Sequence, residues 1–182
     1  MASAFSHAVV ALAVGKASTE QSMPARFWLL SILCSILPDA DVVGFWAGIE
    51  YGDLLGHRGV THSVPFAVLL SLVVVRLGFQ NVSAGSRTWR LLVMHFFIVT
   101  ASHGVLDAMT DGGLGVAFFA PFENSRYFLP WRPVVVSPIG IVEFFTPYGA
   151  RVLLSEVLWI GVPAGMLVLG VTLSRRLRHH SV

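Results

Sequence analysis

Five apolar segments divide the chain, and only the last is long enough to cross a bilayer unaided. They cover about residues 2–15, 27–37 and onward past Pro38-Asp39 to Trp46, 64–79, 89–106 and 153–173. The hydrocarbon core of a membrane needs about 20 helical residues. The first four segments therefore cross only with tilt, local thinning or support from neighbours. Charged residues make up 12% of the chain and hydrophobic ones 55%, whereas a soluble domain carries about 25% charged residues to solvate its surface. Much of this surface is expected to face lipid. The expected fold is all-α: a polytopic membrane helical bundle of about four to five transmembrane helices, forming a single domain over residues 1–182.

The placement of Lys and Arg orients the bundle. Lys16 and Arg26 flank the first connection, Arg76, Arg87 and Arg90 flank the third, and Arg175, Arg176 and Arg178 follow the last segment. With these three regions cytoplasmic, eight of the twelve basic residues lie inside and nine of the ten acidic residues lie outside. The expectation is an inner (plasma) membrane protein of bacterial type, multi-pass, with its N-terminus outside and its C-terminus cytoplasmic. No basic residue precedes the apolar stretch at residues 8–14, and Lys16 follows it, the reverse of a secretory signal. The segment therefore reads as part of the mature protein. The net charge of +2 is scattered between apolar runs, so direct nucleic-acid binding is not expected. Cys34 is the single cysteine, which excludes a cysteine-rich metal site and an internal disulfide.

Local punctuation supports the segments. Pro38 disfavours helical geometry in the residue before it. Ser63 before Val64-Pro65 reads as a helix N-cap, and Asp111-Gly112-Gly113 reads as a turn. Residues 113–151 are rich in aromatics and prolines, including Phe118, Phe119, Phe122, Tyr127, Phe128, Trp131, Phe144, Phe145 and Tyr148. The first reading of this stretch is an interfacial aromatic belt, with a surface-lying or re-entrant helix; a lid that handles substrate is the second.

Ionisable residues inside apolar segments are costly and default to function. Here they are His7, Asp39, Asp41, His57, His62, His95, His103, Asp107 and Glu156. An orientation taken from Lys and Arg alone places nearly all of them at one depth, the extracytoplasmic end. His103 and Asp107 stand four residues apart, on one face of a helix. Asp39 and Asp41 cannot present both carboxylates alike on a regular helix, so one is expected to ligate while the other caps a turn or orients a ligand. His57 and His62 bracket Gly59, which allows a sharp loop that turns both inward. His95 lies two turns from His103, deeper in the membrane, and reads as a buried, hydrogen-bonded side chain. His179 and His180 read as part of a solvated basic tail.

The combination of His7, Leu37-Pro38-Asp39-Ala40-Asp41, His57-Arg58-Gly59-Val60-Thr61-His62-Ser63 and His103-Gly104-Val105-Leu106-Asp107-Ala108-Met109-Thr110 resembles the inner-membrane-associated metal-dependent hydrolase family described as LexA-binding. The Pro121-Phe122 pair fits the same pattern, and the core motifs span residues 1–132. The resemblance implies a more distant similarity to zinc-dependent phospholipase C and the P1-type nucleases, helical enzymes that hold clustered zinc with His, Asp and HxxxD or HxxxE motifs. Their second HxxxE has no counterpart here, because no histidine lies between His103 and His179. One or two ions are thus expected rather than three.

An imidazole and carboxylate site without thiolate suits Zn, with Mn or Fe as lesser candidates. The expected metal ligands are His7, Asp39, Asp41, His57, His62, His103 and Asp107. Asp41 is the candidate general base, and Arg58 the cation that holds a phosphate oxygen or an oxyanion. A plain ion pair to Asp39, Asp41 or Asp107 is the equal alternative for Arg58. Thr61, Ser63, Thr110 and Glu156 are candidates to support the ligands. The expected activity is a membrane-embedded metal-dependent hydrolase, a phosphoesterase acting on a lipid or amphiphilic substrate. The alternative is a non-enzymatic membrane protein with a structural or regulatory metal site. Protein binding, resting on the family description alone, ranks last.

Overall fold

The structure, a computed structural model, describes residues 1–180, without the side chains of Ile141, His179 and His180. The solvated-tail reading of those two histidines lies outside the described side chains. The protein is all-helical, and no strand occurs among the described residues. Its helices are α1 (Ala4–Ser18), α2 (Ala25–Ile36), α3 (Val64–Gly78), α4 (Arg87–Ala108), α5 (Ile141–Phe144), α6 (Pro147–Glu156) and α7 (Val162–His180).

Three helical stretches are long and apolar enough to cross a membrane: Ala25–Ala47, Arg87–Ala108 and Pro147–Arg178. The apolar helices α1 and α3 are shorter, at 15 residues each. At 1.5 Å per residue they reach roughly 22 Å, short of the ~30 Å hydrocarbon core. The sequence expectation of one comfortable span and four assisted ones is thus revised in detail. Pro38 ends α2, but the chain keeps winding as a 3-10 helix over Leu37–Ala47. A proline at the start of the new helix loses no hydrogen bond. The last span begins earlier than residue 153, at Pro147, and passes through a π-helical turn at Val157–Gly161 between α6 and α7.

Helix α4 is the axis of the bundle and packs against α1, α2 and α3, while α7 packs along α1. Ser86 caps α4 by accepting from the Trp89 amide at 3.1 Å, and Ser63 caps α3 by accepting from Phe66 at 3.2 Å. The apolar core gathers Phe27, Val75, Phe79, Leu92, Phe96 and Val99 toward one end. Beside them His95 bonds to Ser31 at 2.8 Å and Ser18 at 3.2 Å and stacks on Phe27, the buried hydrogen-bonded role its position implies. The other end holds the His and Asp residues.

The aromatic stretch after α4 splits its residues by size. Val116, Ala117 and Ala120 are buried, while Phe119, Phe122, Trp131 and Phe145 are exposed. Its backbone is bound down over the site, with the Ala117 amide on the Arg58 carbonyl at 3.0 Å and the Val64 amide on the Phe118 carbonyl at 2.9 Å. It thus covers the cluster and turns its large rings outward.

Candidate metal centre

Four elements converge on one buried point. The start of α1 brings His7, the 3-10 helix brings Asp39 and Asp41, the loop before α3 brings His57, Arg58 and His62, and the end of α4 brings His103 and Asp107. The sharp loop does not arise where the sequence suggests. Arg58, not Gly59, takes the left-handed conformation, at φ 62°. Gly59 is needed for a different reason, because a β-carbon there would strike the carbonyl oxygens of Leu54 and Gly56. Gly113 at φ 88° completes the Asp111-Gly112-Gly113 turn, and a side chain there would press on the Arg58 guanidinium.

Three histidines are each fixed through Nδ1. His57 Nδ1 lies 2.7 Å from Asp41 Oδ1, His62 Nδ1 lies 3.2 Å from Asp41 Oδ2, and His103 Nδ1 lies 2.7 Å from the Ser35 carbonyl oxygen. An imidazole held at one nitrogen offers the other as a ligand in a fixed direction. His62 Nε2 and His103 Nε2 accordingly approach to 3.0 Å. Asp39 Oδ1 lies 3.5 Å from the first and 3.3 Å from the second; Asp107 Oδ2 lies 3.5 Å and 4.0 Å from them. A tetrahedral ion with ligands at about 2.0–2.1 Å has ligand–ligand edges of about 3.3 Å. The edges here bracket that value, so Asp39, His62, His103 and Asp107 fit one divalent ion. Asp41, His57 and His62 form a second group that can hold one.

The orphaned atoms point the same way. His7 Nδ1 and Nε2, both Asp39 oxygens and His57 Nε2 are buried without a hydrogen-bond partner. Such groups are rare and costly. The cluster holds three carboxylates, Asp39, Asp41 and Asp107, and one guanidinium, Arg58, which pairs with Asp107; a divalent cation would offset the excess negative charge. The same carboxylates act on His62. Burial opposes its charge, but Asp107, Asp39 and Asp41 outweigh burial and push its pKa up to about 10.

Each sequence candidate has a definite place. His7 stacks on His103, ring centroids 3.7 Å apart, with Nε2 3.5 Å from Asp107 Oδ1. Arg58 is fully buried: Nε sits 3.1 Å from Asp107 Oδ2, and the two terminal nitrogens donate to the Gly112 carbonyl and Thr110 Oγ1, each at 3.0 Å. Of the two readings left open for Arg58, this geometry is that of the ion pair. Thr110 joins the same web, donating to the Asp107 carbonyl at 2.8 Å. Thr61 donates to Asp41 Oδ2 at 2.7 Å. Ser63 caps α3 and bonds to the Val60 carbonyl. Glu156 stands apart from the ligands: it accepts from the Ser3 amide and hydroxyl, while the adjoining Ala2 amide donates to Asp107 Oδ1 at 2.6 Å. The last span thereby braces the N-terminal segment against the site.

Three contributors carry no readable signal. Arg126 donates to the backbone carbonyls of His57, Tyr51 and Asp53, tying the loop that bears His57. The Ser35 carbonyl and the Ala2 amide act through backbone atoms, to which side-chain type is blind.

Comparison with known proteins places the chain in a group. The family model described as YdjM inner membrane protein matches residues 1–179. Inner membrane protein YbcI of Escherichia coli (strain K12) is 38% identical over 177 residues, which cover 97% of this chain and 99% of that protein. No solved structure matches the chain.

Proposed function

Since the chain belongs to the YdjM family of inner membrane proteins, we propose that its buried His/Asp cluster makes it a metal-dependent hydrolase working at the membrane, and that the ion is zinc. The observation that carries this reading is the convergence of His62 Nε2, His103 Nε2, Asp39 Oδ1 and Asp107 Oδ2, with the histidines pinned from behind. In this reading those four residues hold the ion. A bound divalent ion lowers the pKa of its water to about 7, supplying hydroxide at neutral pH.

The chain's own residues divide the remaining work. Asp41 accepts from His57, Thr61 and the Arg58 amide, which suits a residue that orients imidazoles better than one that takes a proton. His57, with Nδ1 held by Asp41 and Nε2 unpaired, is the better proton acceptor or the ligand of a second ion. Arg58 fixes Asp107 and balances its charge. The reaction is hydrolysis of an ester, chosen as a phosphoester from the sequence resemblance: water supplies a proton to the leaving alcohol and a hydroxyl to phosphorus. The charge pattern of Lys and Arg supports an extracytoplasmic site and a cytoplasmic C-terminus.

One observation favours the second reading, a structural metal node. Four protein ligands that fill a tetrahedron leave no open position, the hallmark of structural sites. Elemental analysis of the purified protein, with phosphodiester and phospholipid hydrolysis by wild type and Asp107→Ala, separates the two. The hydrolase reading expects stoichiometric metal and turnover that both fall in the variant. Stoichiometric metal without turnover on any ester supports the structural node, and an absence of metal overturns both.

A further inference from the structure

The cluster is closed on nearly every side. The side chains of His7, Arg58, His62, His103 and Asp107 have no exposed surface, and His57 and Asp41 have almost none. Asp39 alone has appreciable exposed surface, 8%, while both its carboxylate oxygens are buried. It lines a groove of about 590 Å³ between α2 and α3. Leu30, Leu33, Leu37, Leu70 and Val74 line this groove, Ala40 sits beside Asp39, and Asp39 is the one charged residue among the lining. Helix α2 belongs to the span Ala25–Ala47, so the groove faces hydrocarbon rather than water.

We propose that the substrate is a membrane phospholipid that enters sideways from the bilayer, laying an acyl chain between α2 and α3 and bringing its ester end to Asp39. This rests on the hydrolase reading and names its substrate class. A water-borne substrate would have to shed its hydration to pass an apolar trough, whereas an acyl chain is already in hydrocarbon. From Leu30 to Leu37 the wall runs roughly 10 Å at helical rise, enough to hold the first part of a chain below its ester. A larger groove of about 660 Å³ between α1 and α7 includes Lys16, Trp28 and Val168. No ligand of the cluster lines it, so it serves as the control.

The test uses the full chain in phosphatidylglycerol vesicles containing a phospholipid with a diazirine in one acyl chain, followed by photolysis and mapping of the adducts. In wild type, adducts at Leu30, Leu70 and Val74, the half-buried residues of the groove, are expected to exceed several-fold those at Leu69 and Val73, which are exposed on α3. Moving the diazirine from the chain middle to the ester-proximal carbons is expected to move the adducts from Leu30 and Leu33 toward Leu37 and Ala40. Val74→Trp fills the groove and is expected to bring its adducts down to the outward level; Val168→Trp in the control groove leaves them high. Equal yields at groove and outward positions in wild type overturn the proposal whether or not the variants fold. Yields unchanged by a folded Val74→Trp overturn it too. Elemental analysis of the same samples keeps the two readings apart: metal without groove preference sinks the lipid route alone, and groove preference without metal sinks the hydrolase reading.

Discussion

Replacing Asp41 by Asn removes a charge from the cluster while keeping its shape, and the contacts of Asp41 set the consequence. Its Oδ1 takes the His57 Nδ1 contact at 2.7 Å, and Oδ2 takes the Thr61 hydroxyl at 2.7 Å and the Arg58 amide at 3.2 Å. An amide can accept on one side only, so its NH2 must face a donor on the other. Either His57 and His62 lose their fixed tautomer, or the loop shifts to relieve the clash. Loss of a carboxylate that orients metal-bound imidazoles costs about 10–100-fold in metal affinity, or roughly 1.4–2.7 kcal/mol. Competition against a chromogenic zinc chelator in detergent measures this directly, with Asp39→Asn as the comparison. Asp39 is read as a ligand, so its substitution is expected to weaken binding further than that of Asp41. Two results would refute the reasoning: affinity for Asp41→Asn within about threefold of wild type, or losses equal to those of Asp39→Asn, which would make Asp41 a ligand itself.

The other predictions address the supports of the site. Arg58→Met leaves Asp107 buried without its cation and is expected to cost about 3–5 kcal/mol, read as a lowered midpoint of thermal unfolding with reduced metal content. His95→Phe fills the same space and removes the contacts to Ser31 and Ser18, whose hydroxyls keep the Phe27 and Gly15 carbonyls; a loss of about 0.5–1.5 kcal/mol with metal content unchanged is expected, and a loss of metal would draw His95 into the site. Glu156→Gln keeps an acceptor for Ser3 but not its charge and is expected to lower stability by about 1–2 kcal/mol without abolishing metal binding. A cysteine at Gly52, where a β-carbon meets nothing within 4 Å, is expected to react with an impermeant thiol reagent in intact cells; protection there would place the site in the cytoplasm.

What the sequence made legible was which residues gather, because cost in hydrocarbon is a property of residue type. His7, Asp39, Asp41, His57, His62, His103 and Asp107 stand out in any apolar chain. The i, i+4 spacing of His103 and Asp107 gave a shared face, since helical periodicity is local. The plainer role of His95 was legible from its distance along the same helix. Segment boundaries were less so. The continuation past Pro38 into a 3-10 helix, and the early start of the last span at Pro147, depend on packing that overrides local breakers.

The sequence by itself therefore determined that the protein is helical, that it lives in a membrane and which residues are too costly to be there without purpose. Those conclusions come from side-chain chemistry and period alone. The tertiary structure decided that His57, His62 and His103 are tied through Nδ1, that Arg58 pairs with Asp107, and that Asp39 is the member of the cluster that borders a groove. It did so because hydrogen-bond direction and enclosure belong to pairs of residues far apart in sequence, 105 positions between Ala2 and Asp107 and 153 between Ser3 and Glu156, and no pattern along the chain records them.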